Sequence, residues 1–508
     1  MTIPNIALWA KRKGIGLVAT GDWTHPLWMR EIKASLEEVG NGLLALRAEV
    51  ASKNLDPGFS LSREQSPTNI DIHRRSQSES GQNFSGSPHA NIPLFLLATE
   101  VSCIYSQAGR VRRVHTLIWV PSLASADNIN KEMTRRGCNL MSDGRPIIGL
   151  TSIQVAELVF SVEPNALIIP AHAWTPWFSV YGSLGGFDSL EEAFGPFAKN
   201  IYAIETGLSS NPAMNWRIRE LDHRSIVSFS DAHSGPKLGR EATVFELSEL
   251  SYEAIRTAII GKQGVNKQKL DVGSGKLDRE VRSQKLDQTS NFQSQNPISN
   301  FPSPTSHSIA FTIEFYPEEG KYHYTGHRAC NIRLSPEETK KKGVACPVCG
   351  KPLTQGVMQR VEELAGRSEE ELQIELRFTN YELREKKTQI QVTGSKTFPN
   401  RPPFVMLVPL QEIIAESIGS PVASPKVQGP YQTLTDALGG EFNVLLSVSI
   451  SDITKAAGER VAQGIEKVRR GDIVIDPGYD GVFGVVKIWK EGEEKPLLDS
   501  SKEQLSMF

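Results

Sequence analysis

Short, nearly unbroken apolar runs alternate with stretches of helical spacing through the first half of the chain. "IGLVATGD", "IPLFLLATEV", "RVHTLIWVP", "NALIIPAHAW", "IYAIETGL" and "SIVSFSDAHS" read as strands that end in polar loops. "IPNIALWAKRKG" has helical spacing and stops at Gly14, and "SLEEAFGPFAKN" and "YEAIRTAIIGK" carry the same period between or after strands. Strands without a polar face must be covered on both sides. The pattern therefore predicts a parallel sheet or barrel wrapped by helices, in which chemistry collects at the carboxyl ends of the strands.

Two stretches break this rhythm. Residues 51–91 are rich in Ser, Asn, Gln, Gly and Pro and read as a disordered surface insertion. Residues 264–308, with "SQKLDQTSNFQSQNPISNFPSPTSHS", read as an interdomain linker. The expected organisation is an α/β domain over 1–263, a compact module over 309–367 and a mainly helical region over 398–508 that ends in the β-like tail "GDIVIDPGYDGVFGVVKIW".

Composition narrows the function classes. The 508 residues are 39% hydrophobic and 22% charged, with no apolar run near the length of a membrane span, so no membrane partner is expected. The residues after Met1 lack an export pattern, and the five cysteines are odd in number, which argues against a disulfide framework and for the cytoplasm. A formal charge of −2 leaves nucleic-acid binding to local basic patches. There is no G-x4-G-K-[ST] phosphate loop, and "GSGK" at 273–276 has no strand before it, which sets a helicase aside.

The polar residues that follow or interrupt the strands carry the candidate chemistry. They are Asp22, Glu100, His115, His172, Asp231 and His233. Unpaired charge inside apolar strands is costly, so several such groups need one another or a cation. Asp231 and His233 are two apart, which on a strand puts both on one side. Mixed imidazole and carboxylate ligands suit Zn²⁺, Mn²⁺ or Fe, and such a site activates water and clamps a phosphoryl oxygen. His25 is either a further ligand or a polar residue at a helix start.

"KYHYTGHRACNIRLSPEETKKKGVACPVCGKPLT" pairs H-x2-C with C-x2-C, so His327, Cys330, Cys346 and Cys349 form a closed tetrahedral Zn²⁺ site of structural type, with His323 the rival fourth ligand. "LLSVSISDITKAAGERVAQGIEKVRRGD" fits a helix-hairpin-helix that contacts phosphates, and an ordinary helical hairpin equally. Arg469, Arg470 and Lys340 to Lys342 offer local positive charge or a solvated face. Trp174 and Trp177 flank His172, where they either pack or stack on an extruded base.

"GDWTHPLW", "LLATEVS", "RRVHTLIW", "PAHAWTPW", "ETGLSSN" and "SDAHSGPKLGRE" resemble the polymerase-and-histidinol-phosphatase (PHP) metal-phosphoesterase domain as it occurs in the endonuclease Q family. The resemblance continues through the cysteine module and the C-terminal region. It implies a PHP-type (β/α) barrel-like domain and an enzyme that nicks DNA 5′ to deaminated bases such as uracil and hypoxanthine. It places catalytic metal ions (Zn²⁺, Mn²⁺ or Mg²⁺) on Asp22, Glu100, His115, His172, Asp231 and His233. Glu100 is then the bridging carboxylate, Asp231 holds metal and the attacking water, and Glu205 orients a ligand from behind. The family opens with a strand bearing an H-x-H pair, and this sequence starts at Met1 where the following helix begins. The expectation is a weakly held ion and poor catalysis by the chain as written. Two other readings compete: a DNA-binding protein with an incomplete, inactive metal site, and a small-molecule phosphoesterase of PHP type.

Overall fold

The computed structural model describes residues 1–54, 92–141, 145–268, 307–382 and 387–492. The Thr2 hydroxyl accepts from the Asn5 N–H to start helix α1 (Ile3–Lys13), and Gly14 at φ +80° ends it. Next come β1 (Leu17–Ala19), α2 (Pro26–Ser35), β2 (Leu36–Glu38), β3 (Leu44–Leu46) and α3 (Ala48–Asn54). Strands β4 (Leu94–Gln107) and β5 (Arg110–Val120) form a long antiparallel hairpin. Only Ala108 and Gly109 separate them, at φ +51° and +73°, a turn whose twist matches paired strands. Helix α4 (Leu123–Arg135), β6 (Ile147–Ile148), α5 (Ser152–Val162) and β7 (Leu167–Pro170) follow. The seven-stranded sheet runs β2-β3-β4-β5-β7, with β1 and β6 lying parallel to β4.

Helix α6 (Leu190–Phe194), β8 (Ala203–Glu205), α7 (Pro212–Trp216) and β9 (Ser225–Val227) come next, and β8 and β9 make a separate parallel pair. The mixed α/β class holds, but no closed barrel forms among the described residues. The central pairings β3–β4, β4–β5 and β5–β7 are antiparallel. Two residues between β4 and β5 cannot make the crossover that parallel neighbours require.

Strand β10 (Ala242–Glu246) and α8 (Tyr252–Gln268) complete the first region. Strand β11 (Ser308–Glu314), expected at the edge of a separate module, instead pairs with β10 and with β16 (Phe404–Met406). Between them lie β12 (Thr325–His327), β13 (Ile332–Leu334), α9 (Pro336–Lys342), α10 (Val357–Leu364) and the hairpin β14 (Ile374–Glu382) to β15 (Lys387–Ser395). The second sheet runs β10-β11-β16-β15-β14 and so spans the expected boundary. The C-terminal region is helical: α11 (Leu410–Ile418), α12 (Pro425–Ala437), α13 (Glu441–Leu446), α14 (Ile450–Ala457) and α15 (Glu459–Arg469), then a short pair, β17 (Val474–Asp476) with β18 (Val485–Lys487). Of the two stretches expected to be disordered, 55–91 and 269–306 lie outside the described residues. Residues 51–54 belong to α3 and 264–268 to α8, which corrects both boundaries.

Buried polar contacts join these regions. Lys13 at the end of α1 lies 2.6 Å from Glu441 of α13, the two side chains only 2% and 3% exposed. Glu441 also accepts from the Leu410 N–H at 3.0 Å and the Tyr431 hydroxyl at 2.8 Å. Glu441→Ala strands an ammonium in the core, so it should lower stability by about 3–5 kcal/mol, read from the chemical denaturation midpoint. A loss below ~1 kcal/mol would mean the pair is no lock.

Glu314 on β11 is fully buried and accepts from the Ser228 and Thr312 hydroxyls, while its Oε2 has no partner among the described residues. Burial pushes its carboxyl up to about 7. The folded state thus keeps a proton that the unfolded chain releases near pH 4.5. That contribution is complete below the unfolded pKa and is lost as pH rises through the folded one. The stability difference between wild type and Glu314→Gln should therefore change between pH 4.5 and about 7 and level off above. Parallel curves across that window would refute the assignment.

Candidate metal centres

Glu100 stands within β4, and His115 lies diagonally across on β5. The register opposes Glu100 to Leu117 and His115 to Ser102, so both side chains leave the hairpin on one face. His172 lies just past the end of β7 at φ +30°, its N–H donating to Glu205 Oε2 at 2.8 Å and its Nδ1 3.1 Å from Thr175 Oγ1. The three contacts among Glu100 Oε1, His115 Nδ1 and His172 Nε2 measure 2.8, 3.1 and 3.2 Å. Ligands of one Zn²⁺ at about 2.0–2.1 Å sit a little over 3 Å apart, which is this spacing. The donor set of one carboxylate and two imidazoles also fits Mn²⁺ or Fe.

The electrostatics agree with a cation site. Burial works to raise the Glu100 carboxyl, but the contacts with His115 and His172 and the positive charge of Arg145 overrule it and hold it well below the usual carboxylate range. Asp22 is raised, by burial first and then by the charge of Glu100. Arg145 supplies positive charge: Nη1 lies 2.8 Å from Glu100 Oε1 and 2.7 Å from His115 Nδ1.

Of the six residues named on sequence, the structure brings three within ligand distance: Glu100, His115 and His172. Asp22 and Asp231 lie just beyond β1 and β9, at φ +31° and +42°, close enough to act on Arg145 but outside that trio. His233 departs from the expectation. Strand β9 stops at Val227 because the Ser228 N–H is taken by Thr243 Oγ1 at 2.9 Å, so Asp231 and His233 do not share a strand face. The His233 side chain is 73% exposed and its Nδ1 sits 3.0 Å from the Asp231 carbonyl.

His327, Cys330, Cys346 and Cys349 converge as their spacing predicts. Sγ of Cys349 lies 3.4 Å from His327 Nδ1, and Gly350 at φ +71° closes the knuckle with its N–H on the Cys346 carbonyl. Burial disfavours the Cys346 thiolate, but N–H groups of Cys349 and Val348 outweigh it and bring the thiol down to about 6. A thiolate fed by backbone amides is a metal-ready ligand. The rival His323 is 5% exposed, stands outside the cluster, and burial brings it down to about 4.

The lesion-specific endonuclease PfuEndoQ from Pyrococcus furiosus has a similar structure, with TM-score 0.66 and 26% identity over 100% of this chain and 95% of that one. That likeness supports the endonuclease Q family for this chain. A second member of that family, solved as endonuclease Q with a 27-mer duplex bearing an abasic lesion at the active site, gives TM-score 0.65 and 26% identity over 98% of this chain and 95% of that one. The uncharacterized protein MJ0043 of Methanocaldococcus jannaschii is 28% identical over 62% of this chain but only 31% of its own length. The uncharacterized protein YqxK of Bacillus subtilis is 26% identical over 77% of this chain and 78% of its own. Residues 409–472 match the family described as the MJ0043 C-terminal domain.

Other residues singled out on sequence divide. Trp174 is 1% exposed, stacks on Tyr181 at 4.8 Å and donates to Asn215, so it packs the core. Trp177 is 36% exposed and meets Tyr322 edge-on at 5.0 Å. Arg469 is no surface charge: it is 2% exposed and donates to the Leu445, Val444 and Val448 carbonyls. Arg470 lines a cleft of about 580 Å³ with Phe378, Arg460, Lys467 and Trp489, which shares no residue with the Glu100 trio. Lys340, Lys341 and Lys342 form the last turn of α9, where cations suit the helix end. His25 is the residue before α2, and Glu205 holds the His172 backbone rather than a ring.

Arg145, Gly207 and Phe178 escaped the sequence reading. Phe178 lays its ring 4.9 Å from that of His115. Gly207, at φ +58°, is so close to His172 that an added Cβ would lie 2.4 Å from the His172 Cβ. Gly207→Ala should therefore push His172 off the trio and weaken Mn²⁺ binding at least about tenfold, measured by metal titration. An unchanged affinity would show that His172 is not held from this side.

Proposed function

We propose that this chain is a metal-dependent endonuclease of DNA repair that hydrolyses the phosphodiester 5′ to a deaminated base, uracil or hypoxanthine. The observation that carries the reading is the meeting of Glu100, His115 and His172 at ligand spacing in a chain matched over its whole length by a lesion-specific endonuclease. The relative solved with duplex DNA at its active site supports a DNA substrate and a phosphodiester hydrolase.

A divalent ion at the trio, Zn²⁺, Mn²⁺ or Mg²⁺, supplies an activated water and neutralises charge on a phosphoryl oxygen. Glu100, His115 and His172 would hold the ion. Asp22 and Asp231 would add ligands from the two flanking loops, and Asp231 would orient the water. Trp177, exposed beside Tyr322, offers a face for an extruded base. The cysteine site takes a structural Zn²⁺. Helices α14 and α15, joined at Gly458, and the cleft lined by Arg460, Lys467 and Arg470 serve the DNA backbone. No helix among the described residues is long and apolar enough to cross a membrane, and we assign the enzyme to the cytoplasm.

The test uses excess protein with Mn²⁺ or Mg²⁺ and duplexes holding one uracil, one hypoxanthine or one abasic site. A single nick on the 5′ side of the lesion is expected, absent from the unmodified duplex. Glu100→Gln should slow it at least about 100-fold. Lesion binding without a nick under either metal would favour a DNA-binding protein that does not cut. Phosphate release from small esters without lesion discrimination would favour a small-molecule phosphoesterase.

A further inference from the structure

Arg145 is the one residue at the trio that a metal reading does not account for. Its Nη1 touches Glu100 Oε1 at 2.8 Å and His115 Nδ1 at 2.7 Å, the same two atoms that a cation would need. A guanidinium only donates, so His115 presents a lone pair to it. That lone pair cannot serve an arginine and a metal ion at once. Arginine also stays charged at any working pH, so an ion placed on these ligands would face a second positive charge a few ångströms away.

We propose that Arg145 is a placeholder cation that becomes a phosphate ligand, an inference that rests on the metal-dependent nuclease reading above. Before the ion arrives, the guanidinium donates to Glu100 and His115 and holds them at ligand spacing. With a divalent ion on the trio, the side chain would have to withdraw. It does not go far: Asp22 and Asp231 both attract it, and its side chain is 28% exposed. A phosphodiester bound at the ion then offers the partner it has lost, and the planar fork suits two phosphate oxygens. One side chain thus serves two anions in turn, Glu100 first and the DNA phosphate second, and substrate binding favours the metal-loaded state.

The two roles predict effects of opposite sign. With the full-length protein, Mn²⁺ binding is followed by spin-resonance titration, with Glu100→Gln as the baseline for every other site. Arg145→Ala should bind Mn²⁺ at the Glu100-dependent site at least about tenfold more tightly, since a like charge is gone. Its single-turnover nicking of a lesion duplex should fall about 100-fold, as when a charge-stabilising donor is removed. Arg145→Lys, which keeps the charge without the fork, should bind the ion like wild type and recover only part of the rate. A merely structural arginine would not tighten metal binding while slowing the reaction. If wild type binds Mn²⁺ through Glu100 and Arg145→Ala binds it equally or more weakly, the placeholder is wrong and the nuclease reading stands. If neither protein shows Glu100-dependent binding, both fall.

Discussion

A carboxylate sealed into a protein cannot go without positive partners, and the first region of this chain is arranged to supply them to Glu100. Its side chain is 15% exposed and collects two imidazoles and a guanidinium at hydrogen-bond distance. An isolated carboxylate at that depth would take up a proton. Here the neighbours overrule burial and keep it charged. The long β4–β5 hairpin makes this possible. Glu100 and His115 are fixed by ladder pairs on both sides, so their separation is a property of the sheet and not of a loop. Only His172, from the end of β7, has to be brought to them.

That requirement explains the tight surroundings of His172. Gly207 admits its Cβ, Glu205 takes its N–H, and Phe178 and Thr175 bound the two rings of the site. Beyond this shell, the second half of the chain is bolted to the first. Arg360 of α10 donates to the Tyr181 and Phe187 carbonyls and to Asp188, Arg367 pairs with Asp222, and Lys13 reaches Glu441. Each contact crosses a boundary drawn from composition. The cysteine centre, the helical region and the Glu100 trio therefore belong to one packed body, and Trp177 meets Tyr322 of the cysteine region edge-on.

The parts legible in the sequence are those written in short-range patterns. Strand cores, the α1 stop at Gly14 and the meeting of His327, Cys330, Cys346 and Cys349 all follow from local spacing and turn chemistry. The expected parallel polarity of the sheet fails where two apolar runs form one antiparallel hairpin. The decisive signal was present: "SQAGRV" leaves only Ala108 and Gly109 between strands, which is a hairpin and no crossover. Asp231 and His233 misled through a period-2 argument that holds only while a strand lasts, and this strand ends at Val227 through a side-chain hydrogen bond from elsewhere in the fold. Arg145 and Glu314 had no readable signal. An arginine beside proline in a polar turn and a glutamate at the end of a strand look like surface residues until the tertiary structure brings the first to Glu100 and buries the second.

Backbone strain gives independent reason to regard the ligands as placed before any ion arrives. Eight non-glycine residues among those described have positive φ, and four of them, Asp22, His172, Phe178 and Asp231, belong to the Glu100 trio or act on it. Two more, Asn331 and Asp480, brace the cysteine centre, where Asp480 accepts from the Arg328 N–H and the Thr354 hydroxyl. Each such residue costs on the order of 1–3 kcal/mol and persists only where its surroundings over-determine it. The surroundings here do so through the backbone. Trp28 holds the Thr20 and Gly21 carbonyls before Asp22, Glu205 holds the His172 N–H, and Arg240 holds the Ser230 and Asp231 carbonyls. A loop that only closed around an incoming ion would have no use for these clamps. Clamping three strained backbones from outside leaves their side chains free to serve the cleft, which is how a fold keeps acidic and imidazole groups facing one another when nothing local favours it.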